Sequence, residues 1–111
     1  MMKRPKYGNK KTDGFDSKAE ARRISELRLM ELAGEITDLK TQVRYGLIPA
    51  QYIGGKCVER AVTYVADAEY KKGGRLVVED ITSEMTRKLP AYILKRKLML
   101  WVHGIQILET K

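Results

Sequence analysis

The chain has 111 residues, with 22 Lys and Arg against 14 Asp and Glu and a formal net charge of +8. That length suits one domain with a small core, and the positive balance favours a polyanionic partner, most commonly nucleic acid. A single Cys and a single His exclude an internal disulfide framework and a Cys- or His-rich metal site, and no apolar run reaches the roughly 18 residues of a membrane span. We therefore expect a cytoplasmic protein without a membrane partner.

The first 14 residues, "MMKRPKYGNKKTDG", are polar and carry five basic residues before the first acid. This composition predicts a flexible basic arm at 1–14, followed by a single domain at 15–111. Lys10 and Lys11 are candidates for nucleic-acid contacts. A solvated tail explains the same residues equally well.

The segment 16–33 predicts a helix, because Ile24, Leu27 and Met30 form one apolar stripe and Gly34 suits the helix end. Glu20 lies on or beside that stripe. The pattern Ser-x-x-Glu that ends at Glu20 is also a capping box, which explains this glutamate as well as a role in chemistry would.

Strand signals fill the middle of the chain. We expect a strand within 36–48, a turn in "QYIGGK", a strand within 58–70, and a returning strand at 75–82 after the Lys-Lys-Gly-Gly turn. A second helix is expected from Pro90 to Gly104, followed by a short strand.

The buried stripe of that second helix is predicted to consist of Leu94, Leu98 and Trp101. The order of elements is then α, β, β, β, α, β. This order predicts an α/β or mixed α+β domain with a central mixed β-sheet and flanking helices.

The strands at 58–70 and 75–82 place acids close together. If the whole Lys-Lys-Gly-Gly turn joins them, Tyr70 lies opposite Arg75 and Asp67 lies opposite Val78. Because side chains alternate between faces, Asp80 then shares the face of Asp67 as a diagonal cross-strand neighbour.

Thr82 lies on that face as well, and Glu79 points to the other side. A one-residue shift in register would exchange Glu79 for Asp80, so both remain candidates for the second acid. Two carboxylates on one face repel each other, and a divalent cation bound between them would offset this repulsion. Mg²⁺ prefers one or two carboxylates together with waters and phosphate oxygens. Solvated strand-end acids paired with lysines are the alternative.

Four stretches in order carry a resemblance to a known family: "FDSKAEARRISELRLMELAGEITDLKTQVRYGLIP", "YVADAEY", "VVED" and "KRKLMLWVHG". Together they resemble small phage-encoded proteins of the PD-(D/E)XK nuclease superfamily, similar to Holliday-junction resolvases of the phage endonuclease I type. The resemblance covers roughly residues 7–109. It implies a restriction-endonuclease-like core, Mg²⁺-dependent hydrolysis of DNA (with Mn²⁺ as a substitute), a homodimer, and a location in the cytoplasm of a bacterial host.

Carried over by position, the resemblance implies that Glu20, Asp67 and Asp80 are catalytic metal ligands. The superfamily usually has a lysine two residues after the second acid, and this chain has Thr82 there. Threonine cannot supply a positive charge. Another lysine, such as Lys88 or Lys97, could reach the site, the metal could suffice alone, or the chain could be a weakened or inactive relative that still binds DNA.

The remaining candidates are basic residues that could contact the DNA backbone, and solvated helix faces or surface ion pairs explain them equally well. A basic module that binds RNA or protein without a metal is a third functional class. The candidate DNA-binding residues are Lys10, Lys11, Lys18, Arg22, Lys88, Lys95 and Lys97.

Overall fold

A computed structural model describes residues 17–111 of the chain, so the predicted arm at 1–14 lies outside the described residues. The elements in chain order are α1 (Ser17–Leu32), β1 (Thr37–Ile48), β2 (Gln51–Ile53), β3 (Lys56–Glu59), β4 (Val62–Lys72), β5 (Arg75–Ile81), α2 (Glu84–Arg87), α3 (Pro90–His103) and β6 (Leu108–Thr110). None of the helices in this part of the chain is long and apolar enough to cross a membrane.

Four strands form one sheet in the order β1-β4-β5-β6, and β2 and β3 form a separate hairpin. β4 is antiparallel to β1 and to β5, whereas β5 and β6 are parallel, so the sheet is mixed. Val77 packs against the core cluster that contains Leu27 of α1, and its neighbour Val78 belongs to the cluster that contains Met99 of α3. Adjacent residues of a strand point to opposite faces, so the two helices cover opposite faces of the sheet. The predicted fold class is confirmed.

α1 uses the predicted apolar stripe. Leu27 is fully buried, and Ile24 and Met30 pack against its cluster. The helix ends at Leu32, and Gly34, just beyond this end, has a φ of 80°. The Gly34 N–H donates to the Glu31 carbonyl, and the next N–H along the chain donates to the Met30 carbonyl, which is the Schellman arrangement. The predicted helix end is confirmed, and the left-handed conformation explains why glycine stands there.

The predicted buried stripe of α3 is wrong at two of its three positions. Trp101 is 85% exposed and Leu94 is 56% exposed, whereas Tyr92 and Met99 are buried and Leu98 packs beside them. Leu94 lies two residues from Tyr92, which is about 200° around the helix. Apolar residues occur on both sides of α3, and the buried side also carries charged residues. Hydropathy therefore favoured the wrong face.

The turn between β4 and β5 is shorter than predicted. The two strands pair up to Lys72 and Arg75, so only Gly73 and Gly74 form the turn. Both glycines have positive φ, 60° and 79°, as a two-residue type I′ hairpin requires. Tyr70 consequently lies opposite Val77, and the predicted register was wrong by two residues. A shift of two keeps every side chain on its predicted face.

Glu79 is a fully buried carboxylate at the centre of the sheet. Arg23 of α1 donates to both of its oxygens, with Nε–Oε2 at 2.7 Å and Nη2–Oε1 at 3.1 Å. Tyr70 and Thr110 donate one hydroxyl each at 2.8 Å. Burial opposes ionisation, but these hydrogen bonds outweigh it and hold the pKa of Glu79 below its usual range. The pair fixes α1 against the strand that carries Asp80.

We expect Arg23→Met to lower the free energy of unfolding by about 3 kcal/mol, because it leaves a buried carboxylate without its cation. The double variant Arg23→Met/Glu79→Gln should recover more than half of that loss, since glutamine is neutral and still accepts from Tyr70. Urea titration followed by circular dichroism measures both. Arg28→Met, an exposed change in the same helix, is the control, and an equal loss in that variant would contradict the role of the pair.

Candidate functional site

A cleft opens where β4 and β5 separate. The strands pair from the glycine turn as far as Ala68 and Glu79. Past that point the backbone N–H of Ile81 donates to the side chain of Asp67, with N–Oδ2 at 2.8 Å. The cleft has a volume of about 790 Å³ and is lined from α1, β4, β5, α2 and α3. Separation of the strands therefore exposes polar side chains at the middle of the sheet.

Three predicted acids line this cleft: Glu20 from α1, Asp67 from β4 and Asp80 from β5. Continued by one residue, the observed register places Asp67 directly opposite Asp80, where a diagonal relation was predicted. The shared face of the two aspartates is as predicted. Glu79, the alternative second acid, points away from the cleft and into its contacts with Arg23.

Burial is the main reason that all three acids resist ionisation. It raises the pKa of Glu20, and the nearby charge of Asp67 raises it further. Burial also raises the pKa of Asp67, against a hydrogen bond from the Ile81 N–H. The pKa of Asp80 is raised to about 6 by burial and then by the charges of Asp67, Glu109 and Glu20, against a hydrogen bond from a tyrosine. The cleft thus concentrates negative charge in a partly desolvated place.

Two polar residues that sequence reasoning missed hold these acids in position. Tyr64 donates its hydroxyl to Oδ1 of Asp80 at 2.8 Å. The Gln42 amide donates to Oε2 of Glu20 at 3.2 Å, and its hydrogen bonding also lowers the pKa of Asp67. Tyr64 is three residues from Asp67, so strict alternation would have placed it on the other face.

Gln42 is one of two non-glycine residues of the described chain with positive φ, at 53°. That conformation costs roughly 1–2 kcal/mol for a residue with a side chain. The residue that bears this strain is the one that contacts Glu20. Strained backbone of this kind collects at functional sites, so the observation adds to the case for this cleft.

Thr82 also lines the cleft and is almost completely buried. Its backbone N–H donates to the Thr110 carbonyl at 2.9 Å, which continues the contact between β5 and β6. Its hydroxyl lies 3.5 Å from the Ser83 carbonyl oxygen. The position expected for a lysine is therefore in the site, but it carries no charge.

The predicted basic residues divide into two groups. Arg22 and Lys95 line the cleft, and so does Lys111, which sequence reasoning did not select. Lys18, Lys88 and Lys97 are exposed and are not among the residues of its wall. Lys10 and Lys11 lie outside the described residues. The two lysines suggested as substitutes for a lysine at position 82 are thus not the ones that the fold brings to the acids.

The acids do not form a complete metal cage as they stand. Within residues 17–111, no group of three or more His, Cys, Asp or Glu side chains is arranged so that it could hold a metal ion. Each acid of the cleft instead accepts a hydrogen bond from a protein donor. Asp67 and Asp80 remain a facing pair of carboxylates.

Residues 4–103 match the family described as "Protein of unknown function (DUF1064)". The chain belongs to this family. No curated protein and no solved structure matches the chain. The DUF1064 match includes every acid of the cleft, together with Thr82 and Lys95, and the family description assigns them no activity.

We expect Asp80→Asn to stabilise this DUF1064 chain above pH 6. The folded pKa of about 6 lies above the ordinary 3.8, so the folded state binds the proton more tightly. The contribution of Asp80 to stability is therefore fully present below pH 4 and is lost as the pH rises through 6. The variant should gain about 1 to 3 kcal/mol at pH 8 and little at pH 4.

Urea titrations of the parent and the variant from pH 4 to pH 8 measure this difference. Asp38→Asn is the control, because Asp38 is exposed and its positive φ of 55° suits asparagine. Parallel pH profiles for the parent and Asp80→Asn would contradict the raised pKa.

Proposed function

We propose that the chain is a metal-dependent DNA endonuclease that hydrolyses phosphodiesters, with Holliday junctions and other branched DNA as candidate substrates. One observation carries the proposal: Glu20, Asp67 and Asp80 line one open cleft and oppose each other's ionisation. Such clustering is costly for folding, and perturbed acids in a cleft indicate a functional site. The net charge of +8 adds attraction for a DNA backbone.

The donor set of the cleft fits Mg²⁺, with Mn²⁺ as a substitute. Asp67 and Asp80 would hold the ion and Glu20 would assist, since Mg²⁺ uses one or two carboxylates and fills its other positions with water and phosphate oxygens. When bound, the ion would supply positive charge that activates water and offsets charge on the phosphodiester. The chain's own hydrogen bonds from Tyr64 and Gln42 would orient two of the three carboxylates.

Basic residues around the cleft would hold the DNA. Arg22 lies on α1 beside Glu20, and Lys95 lies on α3 across from it, so that a strand entering the cleft meets cations from two elements. Lys18 and Lys88 are exposed outside the wall of the cleft and would contact the flanking backbone. The four-stranded mixed sheet between helices supports placement in the PD-(D/E)XK superfamily.

Two further parts of the proposal concern assembly and location. Resolution of a junction needs two symmetric cuts, so the active form would be a homodimer. An enzyme of this kind would work on DNA in the cytoplasm of a bacterial host.

The second candidate function is DNA binding without catalysis on the same fold. The observation that favours it is Thr82, a neutral residue at the place in the cleft where the resemblance expects a cation. Loss of a group that stabilises developing charge lowers a rate by about 10²–10³. Such a chain would still bind DNA through its basic residues.

A cleavage assay tests the two candidates. The parent chain would be incubated with a labelled four-way junction, a linear duplex and a single strand, each with Mg²⁺, Mn²⁺ or EDTA. We expect metal-dependent cutting that Asp67→Asn lowers by at least 10²-fold without weakening DNA binding, since the variant removes one negative charge near the phosphates. Asp38→Asn is the matched control and should cut like the parent.

Thr82→Lys, assayed in parallel, separates the candidates. If the parent binds DNA and only Thr82→Lys cuts it, the chain is a DNA-binding protein with a disabled nuclease site. If neither binds any of the three DNAs, both candidates are wrong, and RNA or protein becomes the partner to test.

A further inference from the structure

We infer that Lys95 of α3 supplies the positive charge that Thr82 cannot. The inference rests on the proposed nuclease function and deepens it, because it assigns the cation of the site to a helix instead of to β5. The geometric observation is that Lys95 lines the same cleft as Glu20, Asp67 and Asp80.

The helix itself fixes the direction of Lys95. Ala91, Tyr92 and Lys95 all line the cleft, and positions i, i+1 and i+4 lie on one side of an α-helix. Tyr92 is buried and donates its hydroxyl to Glu109 of β6 at 2.5 Å, which anchors this turn of α3 to the sheet. Lys95 is half-buried, one turn further along. Lys95 is therefore held at the cleft wall by a turn of α3 that the Tyr92–Glu109 hydrogen bond anchors to the sheet.

The other basic residues in or near the cleft are less well placed than Lys95 to contact a phosphate held beside the acids. Arg22 is exposed, although it lines the cleft, and Lys111 is the exposed last residue of the chain. Lys97 lies two residues from Lys95, about 200° around α3, and therefore faces away from the cleft. Lys88 caps the end of α2 before α3 begins. Among the cations of residues 17–111, only Lys95 combines a place in the wall with partial burial in the middle of a regular helix.

The role follows from the charge of the reaction. In hydrolysis, a water molecule forms the new P–O bond and releases one proton to solvent. The bridging bond from phosphorus to the sugar oxygen breaks, and the departing oxygen takes up one proton from solvent. Lys95 keeps its proton throughout. Its ammonium donates hydrogen bonds to a non-bridging phosphate oxygen as negative charge grows there, which is a contact that strengthens in the transition state.

The test compares Lys95→Gln with Lys97→Gln, a neighbouring lysine of the same helix that faces away. Each variant loses one positive charge, so both should weaken DNA binding to a similar small extent. Single-turnover cleavage with Mn²⁺ should fall about 10²–10³-fold in Lys95→Gln and less than about threefold in Lys97→Gln. Lys95→Arg should retain part of the rate, because it keeps the charge.

A rescue variant excludes a purely structural role. Thr82→Lys places an ammonium in the same cleft from β5, so Lys95→Gln/Thr82→Lys should recover at least tenfold over Lys95→Gln alone. Repacking around a lost lysine would not be repaired from position 82. Thermal melting of all variants, with equal midpoints expected for Lys95→Gln and Lys97→Gln, checks the fold.

The outcomes separate this inference from the proposed function. A parent that cuts, with Lys95→Gln equal to Lys97→Gln, leaves the nuclease standing and overturns the role of Lys95. If the parent does not cut DNA but Thr82→Lys does, the role of Lys95 is also overturned, because Lys95 then does not supply the missing charge. If neither the parent nor Thr82→Lys cuts DNA, both the nuclease proposal and this inference are wrong.

Discussion

The ion pair between Arg23 and the fully buried Glu79 is the interaction on which the arrangement of the cleft depends. A carboxylate with no exposed surface is tolerated only when it is paired and hydrogen-bonded, and here four donor atoms surround it. These atoms belong to three residues, which lie on α1, β4 and β6. Glu79 of β5 thereby holds α1 against the sheet and links β5 to β4 and β6 through side-chain hydrogen bonds. Glu20 stands one turn before Arg23, so the same pair sets the position of Glu20 beside Asp67.

Glu79 and Asp80 are adjacent in β5 but lie in different environments, because successive side chains of a strand point to opposite faces of the sheet. Glu79 is satisfied by protein donors, and its pKa is lowered. Asp80 opens into the cleft, where burial and neighbouring acids raise its pKa to about 6. A fold that needed only stability would not keep Asp67, Asp80 and Glu20 together, since their mutual repulsion opposes folding. Local conflict with stability of this kind is expected at functional sites.

The sheet explains why the cleft lies where it does. β4 remains paired with β1 along its length, while its pairing with β5 stops at Ala68 and Glu79. β5 instead continues beside β6, and the Thr82 N–H donates to the Thr110 carbonyl. The strands that carry the two aspartates therefore diverge immediately beyond the last shared pair. α3 covers the opening from the face opposite α1, which brings Tyr92 and Lys95 to its wall.

Local chemistry in the sequence determined the ends of the elements and the face of each acid. Gly34 ended α1, Pro90 began α3, and a glycine-rich turn joined two strands, because these residues restrict or permit particular backbone angles. The face shared by Asp67 and Asp80 survived a register error of two residues, since alternation depends only on whether a shift is odd or even.

Tertiary structure decided which side of α3 is buried and which side chains meet in the cleft. The buried side of α3 could not be read from hydropathy, because apolar residues lie on both of its sides and only contact with the sheet selects Tyr92 and Met99. The reach of the Tyr64 hydroxyl to Asp80 depends on how the strands diverge. The presence of Lys95 in the cleft wall, and the absence of Lys88 and Lys97 from it, depend on where α3 lies. Sequence determined which residues could serve a site in this chain. Long-range packing decided which of them meet, because distances between elements are set by the whole core and not by neighbours in the chain.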